Sequence, residues 1–157
     1  MRRILCYATI LGLVLALPVE KADVGKLRPV EVVSIYKEGK LYVMQTDTGD
    51  QGVGTTAQQA LESLKATSSG IIYLDTAEFL LLGEGTEETA EELRQHLKKA
   101  VRLCMTGEPV DLAEAARFLS VHGELPSLKD WETGSELPVL STNGDSLIFL
   151  KKVEKRA

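Results

Sequence analysis

The apolar positions of this chain fall into blocks whose period changes along its length. Residues 4–17 form one continuous apolar run broken only by Thr9 and Gly12, with Arg2 and Arg3 before it and Pro18, Glu20, Lys21 and Asp23 after it. A basic start, an apolar middle and a polar exit make the layout of a secretory signal or a short membrane anchor. Residues 23–29 read as a connector ending at Pro29. Residues 30–36, Val-Glu-Val-Val-Ser-Ile-Tyr, are rich in β-branched positions and predict a strand. Glu38-Gly39-Lys40 is a turn signal, and residues 41–46 predict the return strand of a hairpin. Residues 47–54 carry three glycines and are expected to form a loop.

The period then becomes helical. Ala57, Ala60, Leu61 and Leu64 give one apolar stripe, and Thr55 with Gln58 fits a capping box. Residues 71–74 and 79–82 are short apolar runs, both expected as strands. Thr86 is placed to cap a second helix, with acidic residues early and Arg94, Lys98 and Lys99 late, an order that complements the helix dipole. Residues 101–106 predict a strand. Asp111 with Glu114 makes another capping box before the stripe Leu112, Ala115, Ala116, Leu119. Residues 123–136 are polar and irregular around Trp131. Asn143-Gly144 between two apolar runs signals a closing hairpin, because both residues tolerate positive φ. Residues 151–156 are a basic end.

The expected fold is α+β: one domain with a mixed or antiparallel sheet, about three helices packed mainly on one face, and the order β-β-α-β-β-α-β-α followed by a C-terminal β-hairpin. Along the chain this gives a signal peptide or short anchor over 1–22, an α+β domain over 23–122, and a C-terminal extension over 123–157 that holds Trp131 and the hairpin. The 157 residues suffice for one domain with a core of its own, since a chain of this size buries about two-thirds of its unfolded surface. Cleavage of the leader is expected over retention, because 4–17 is short against the roughly 20 residues a bilayer span needs. If it is retained, Arg2 through Leu17 would hold the protein on the membrane.

Composition narrows the partners. Eighteen basic against 23 acidic side chains leave a net charge of −5, which argues against nucleic acid. Cys6 lies in the leader and Cys104 in the domain, so no disulfide framework is expected. Cys104, inside an apolar strand-like run, reads as a small buried hydrophobe rather than a reactive thiol.

Each cluster with chemical potential has an ordinary explanation. Gly52-Val53-Gly54-Thr55-Thr56 could present backbone N–H groups to an anion, but a third spaced glycine or a Gly-Lys-Thr ending is missing, so a turn feeding a helix cap is expected. His96 and His122 lack neighbours at ligand spacing, apart from Glu92 one turn before His96, and no zinc site is expected. Asp47, Asp50, Asp75 and Glu78 lie near strand ends, where a pair could act as acid and base or bind a cation; turn formation explains them as well. Arg102 shares a strand face with Cys104 and is expected to find a structural ion pair. No catalytic residue, cofactor site or metal site is assigned.

Residues 30–122 carry an ordered set of strings that resembles the N-terminal domain of spore germination C-subunit proteins, the lipoprotein components of germinant receptors. The strings are the opening hairpin, Gly52-Val53-Gly54-Thr55-Thr56 before a helix containing Ala60, Leu61 and Leu64, Ser68-Ser69 at its end, the apolar region 71–82, the helix 87–97, the Arg102 strand ending at Gly107, and a helix beginning at Asp111. The resemblance implies a non-catalytic α+β domain outside the cytoplasmic membrane, in a spore-forming bacterium, with a membrane receptor or other envelope proteins as partners. That family follows its leader with a lipid-bearing Cys; Pro18-Val19-Glu20 stands there in this chain, and Cys6 lies too early. The expected function is a non-enzymatic extracytoplasmic accessory or binding protein. The alternatives are a small secreted enzyme using Asp75, Glu78 or Cys104, and a structural protein of the membrane or spore surface.

Overall fold

In a computed structural model of the protein, residues 26–122, 124–132, 134–144 and 146–150 are described. The leader at 1–22, with Cys6, and the basic end at 151–156 lie outside the described residues. Among the described residues nine strands and three α-helices follow one another as β1 (Leu27–Pro29), β2 (Val32–Glu38), β3 (Leu41–Thr46), β4 (Gln51–Gly54), α1 (Ala57–Thr67), β5 (Ile71–Tyr73), β6 (Phe79–Gly83), α2 (Thr89–Leu93), β7 (Arg102–Thr106), α3 (Leu112–Val121), β8 (Val139–Asn143) and β9 (Ser146–Leu150). The class is α+β, and the sheet is mixed.

Seven strands make that sheet, in the order β4-β3-β2-β6-β7-β8-β9. The four central strands, β2, β6, β7 and β8, run parallel. Antiparallel partners flank them: β3 and β4 at one edge, β9 at the other. β1 and β5 form a separate parallel pair. Thr76 ties this pair down: its hydroxyl donates to the Val30 carbonyl and accepts from the Val30 amide, at 3.0 and 2.9 Å.

The sheet is covered on both faces, not mainly on one. Val33, Ile35, Met44, Leu80, Leu82 and Leu103 point toward α1 and α2, whose Ala60, Leu61, Leu64, Ala90 and Leu93 complete that core. Val32, Phe79, Leu81, Cys104 and Leu140 point the other way, toward Leu112, Ala115 and Leu119 of α3. Parallel strands buried on both sides read as continuous apolar runs, and residues 79–82 are such a run.

Four local expectations move. The 23–29 connector contributes β1 from Leu27. The expected loop at 47–54 ends in β4, because Gly52 and Gly54 alternate toward α1 and let its backbone approach. The cap of α1 is Thr56, whose hydroxyl accepts from the Gln59 amide at 3.2 Å; Gln59, not Gln58, reaches back to accept from the Thr55 amide at 3.0 Å. Thr86 caps no helix. It is fully buried, and its hydroxyl donates to the Gly83 carbonyl at 2.8 Å and toward that of Ile35 at 3.3 Å. The Asp111 cap stands as expected, accepting from the Glu114 amide at 2.9 Å.

Ser127 and the hairpin β8–β9 are built into the same sheet. Ser127 bridges antiparallel to Arg102 at the start of β7, and β8 pairs with Met105 and Thr106 at its end. Leu128 and Trp131 are buried in the α1–α2 core, and the Trp131 indole donates to the Ser135 carbonyl at 3.3 Å. The hairpin turns at Gly144, whose φ is +63°. Among the described residues no helix is long and apolar enough to cross a membrane.

Candidate functional site

The residues singled out in the sequence are dispersed, and most are occupied. Asp47 accepts from the amides of Glu31 and Val32 at 3.1 and 3.2 Å, closing the entrance to β2. Asp50, nearly buried, pairs with Arg28 at 3.0 Å and accepts from the Thr48 hydroxyl at 2.7 Å. These two carboxylates and Asp111 border one depression of about 330 Å³, where each already serves a turn, an ion pair or a cap. Asp75 is exposed in a short 3₁₀ turn after β5. Glu78 pairs with Arg102 at 3.0 Å, and the Arg102 guanidinium lies 4.1 Å from the centre of the Phe79 ring. The arginine thus has the ion pair expected of it, at a partly exposed position.

Cys104 is fully buried beneath α3, and burial pushes its thiol up to about 12. A thiol held protonated is a poor nucleophile. His122 is exposed and packs against Phe118 with ring centres 4.4 Å apart. His96 is half-buried, and its Nε2 has no hydrogen-bond partner among the described residues. Among the described residues no three His, Cys, Asp or Glu side chains are grouped to hold a metal ion. The Gly52–Gly54 segment is spent on the contact with α1 rather than on an anion loop.

What the topology does assemble lies elsewhere. Because β2, β6 and β7 run parallel in register, Tyr36, Gly83 and Thr106 come level at their carboxyl ends. A cleft of about 390 Å³ opens there, on the α3 side of the sheet. The crevice beyond the carboxyl ends of parallel strands is where open sheets bind ligands, and this volume lies within the range of small-molecule sites. Ser34 and Tyr36 enter from β2, on the face that alternation gives them. A Cβ on Gly83 would stand 2.6 Å from Tyr36 Cβ, so the glycine lets the tyrosine lie across the end of β6. Thr106 donates to the Glu108 carbonyl, and the Glu108 carboxylate accepts from Thr142, which ties the β7–α3 loop to β8.

The rim is acidic. Glu38, Glu84 and Glu108 border the cleft against one ammonium, that of Lys37. Lys37 is engaged, donating to the Gly85 carbonyl at 2.8 Å with its Nζ 4.9 Å from the Tyr42 ring centre. Burial, and then the charge of Glu38, raise the Tyr36 phenol above its usual value, keeping it a neutral donor. Sequence reasoning missed this site. Its only signals were single hydroxyl-bearing residues near the ends of apolar strands, each followed by a glycine-containing turn.

The chain matches no family model, no curated protein and no solved structure.

Proposed function

We propose that this protein is a non-enzymatic binding protein working outside the cytoplasm, with the cleft at the carboxyl ends of β2, β6 and β7 as its ligand site. The observation that carries the reading is that cleft: a concave site, lined by hydroxyls and carboxylates, at the position where parallel sheets bind small molecules. The leader-like run at residues 4–17 supports the address, which is the outer face of the cytoplasmic membrane or the medium. The resemblance of residues 30–122 to germination C-subunit domains supports a role beside a membrane receptor in a sporulating bacterium.

Two experiments test it. Fusing residues 1–30 to a reporter active only outside the cytoplasm should give a signal, and a silent fusion removes the address. Deleting the gene in its host should alter the dose at which spores respond to germinants, and an unchanged response removes the germination role.

A further inference from the structure

The floor of the cleft holds a polar group that the fold leaves unused. Ser34 is 5% exposed, sits among the apolar residues of β2, and lines the cleft. Its hydroxyl makes no side-chain hydrogen bond among the described residues and is left open to the cleft. Thr86 and Thr106, equally buried, both have carbonyl partners. Ser34 thus offers the cleft a donor and acceptor with no side-chain hydrogen bond among the described residues. Tyr36, Glu38, Glu84 and Glu108 line the same cleft.

We infer that this cleft takes a small organic ammonium compound that also carries a hydroxyl. The hydroxyl would pair with Ser34 on the floor. The cation would lie under the acidic rim, where Coulomb attraction to the carboxylates and the face of Tyr36 both favour positive charge. A neutral polyol would satisfy Ser34 and leave the rim unused, and an anion would meet repulsion. The inference rests on the reading of the cleft as the ligand site, and goes further by fixing the charge of the ligand.

Matched probes separate the two. The amide spectrum of the protein would be followed while ethanolamine or ethylene glycol, and glucosamine or glucose, is added. The ammonium member of each pair should shift the amides of Ser34, Gly83 and Gly107 and bind about tenfold more tightly than its neutral partner, the gain expected of two or three partly exposed charge contacts. The Glu84→Gln, Glu108→Gln double variant should remove that preference. Ser34→Ala should weaken the ammonium probes several-fold without lowering the unfolding midpoint, because the hydroxyl supports nothing in the fold. Equal binding of both members, or binding of the neutral ones alone, overturns the inferred charge while the cleft remains a ligand site. Silence of the three amides toward every probe overturns both the charge and the ligand site.

Discussion

A Cβ on Gly52 would stand 2.2 Å from the carbonyl oxygen of Ala60 and 2.2 Å from the amide nitrogen of Leu64. Gly54 is as closely opposed, 2.4 Å from the Ala60 nitrogen. The obstructing atoms are helix backbone, which cannot rotate away. The two glycines of the Gly-x-Gly segment therefore set the distance at which α1 lies on β4. Gly52→Ala should destabilise the protein by about 3 kcal/mol or more, beyond the usual range for overpacking, because the helix itself must lift. Val53→Ala, on the exposed opposite side, should cost less than about 1 kcal/mol. Urea unfolding of the two variants checks the contrast, and equal effects would remove the close-packing account.

The adjacent threonines divide the end of α1 between them. Thr56 caps through the Gln59 amide, while the Thr55 hydroxyl bonds only the exposed Gln59 side chain at 2.6 Å. Thr56→Ala should cost about 1 kcal/mol, and Thr55→Ala a few tenths. Thermal unfolding of both variants distinguishes them. A larger loss at Thr55 would move the cap back to the position that the sequence spacing suggests.

That one-residue shift shows where the sequence was legible and where it stopped. Periodicity located α1, α3, the β2–β3 hairpin and the Asn143-Gly144 turn, because those signals are local. The Thr55–Gln58 and Thr56–Gln59 spacings are equally good capping boxes, and the structure uses the second. Gly-rich residues 51–54 resemble a loop in isolation; their role as an edge strand depends on a helix that arrives later in the chain. The second covered face was written in the unbroken run of residues 79–82, whose lack of alternation marks a strand buried on both sides. The cleft left only scattered hydroxyls and turns in the sequence, since Ser34, Gly83 and Thr106 meet only through the register of three parallel strands.

Residues 124–150 should be indispensable to the domain. Trp131 is 3% exposed and Leu128 fully buried, both in the α1–α2 core, and the Trp131 carbonyl accepts from Arg94 at 3.2 Å. Trp131→Ala should destabilise by about 3–5 kcal/mol, the usual cost of emptying a large aromatic site. A chain stopped at residue 122 would leave the outer edge of β7 unpaired and should lose the cooperative unfolding transition of the full chain. Circular dichroism melts of both proteins provide the measurement, and a truncated chain that melts like the full one would make this segment an appendage.

Alkali should unfold the protein through Cys104. The folded thiol titrates at about 12 against an ordinary 9.0, because burial under α3 disfavours the thiolate. Below pH 9 both folded and unfolded thiols are protonated, so the full stability is present. Above pH 9 the unfolded thiol ionises and the folded one does not, so the unfolded state holds fewer protons and stability falls as pH rises. The slope for this group approaches about 1.4 kcal/mol per pH unit, ending near the folded value. Tyr36, whose phenol is also raised, adds a loss of the same sign above pH 10. Cys104→Ala removes only the first contribution, so the gap between the wild-type and variant unfolding free energies should change steadily from pH 9 to pH 11 in the variant's favour. Parallel curves would mean that the folded thiol ionises as freely as the unfolded one, and a thiol reagent should then label native Cys104 at neutral pH, where the buried group is expected to stay unlabelled until the chain unfolds.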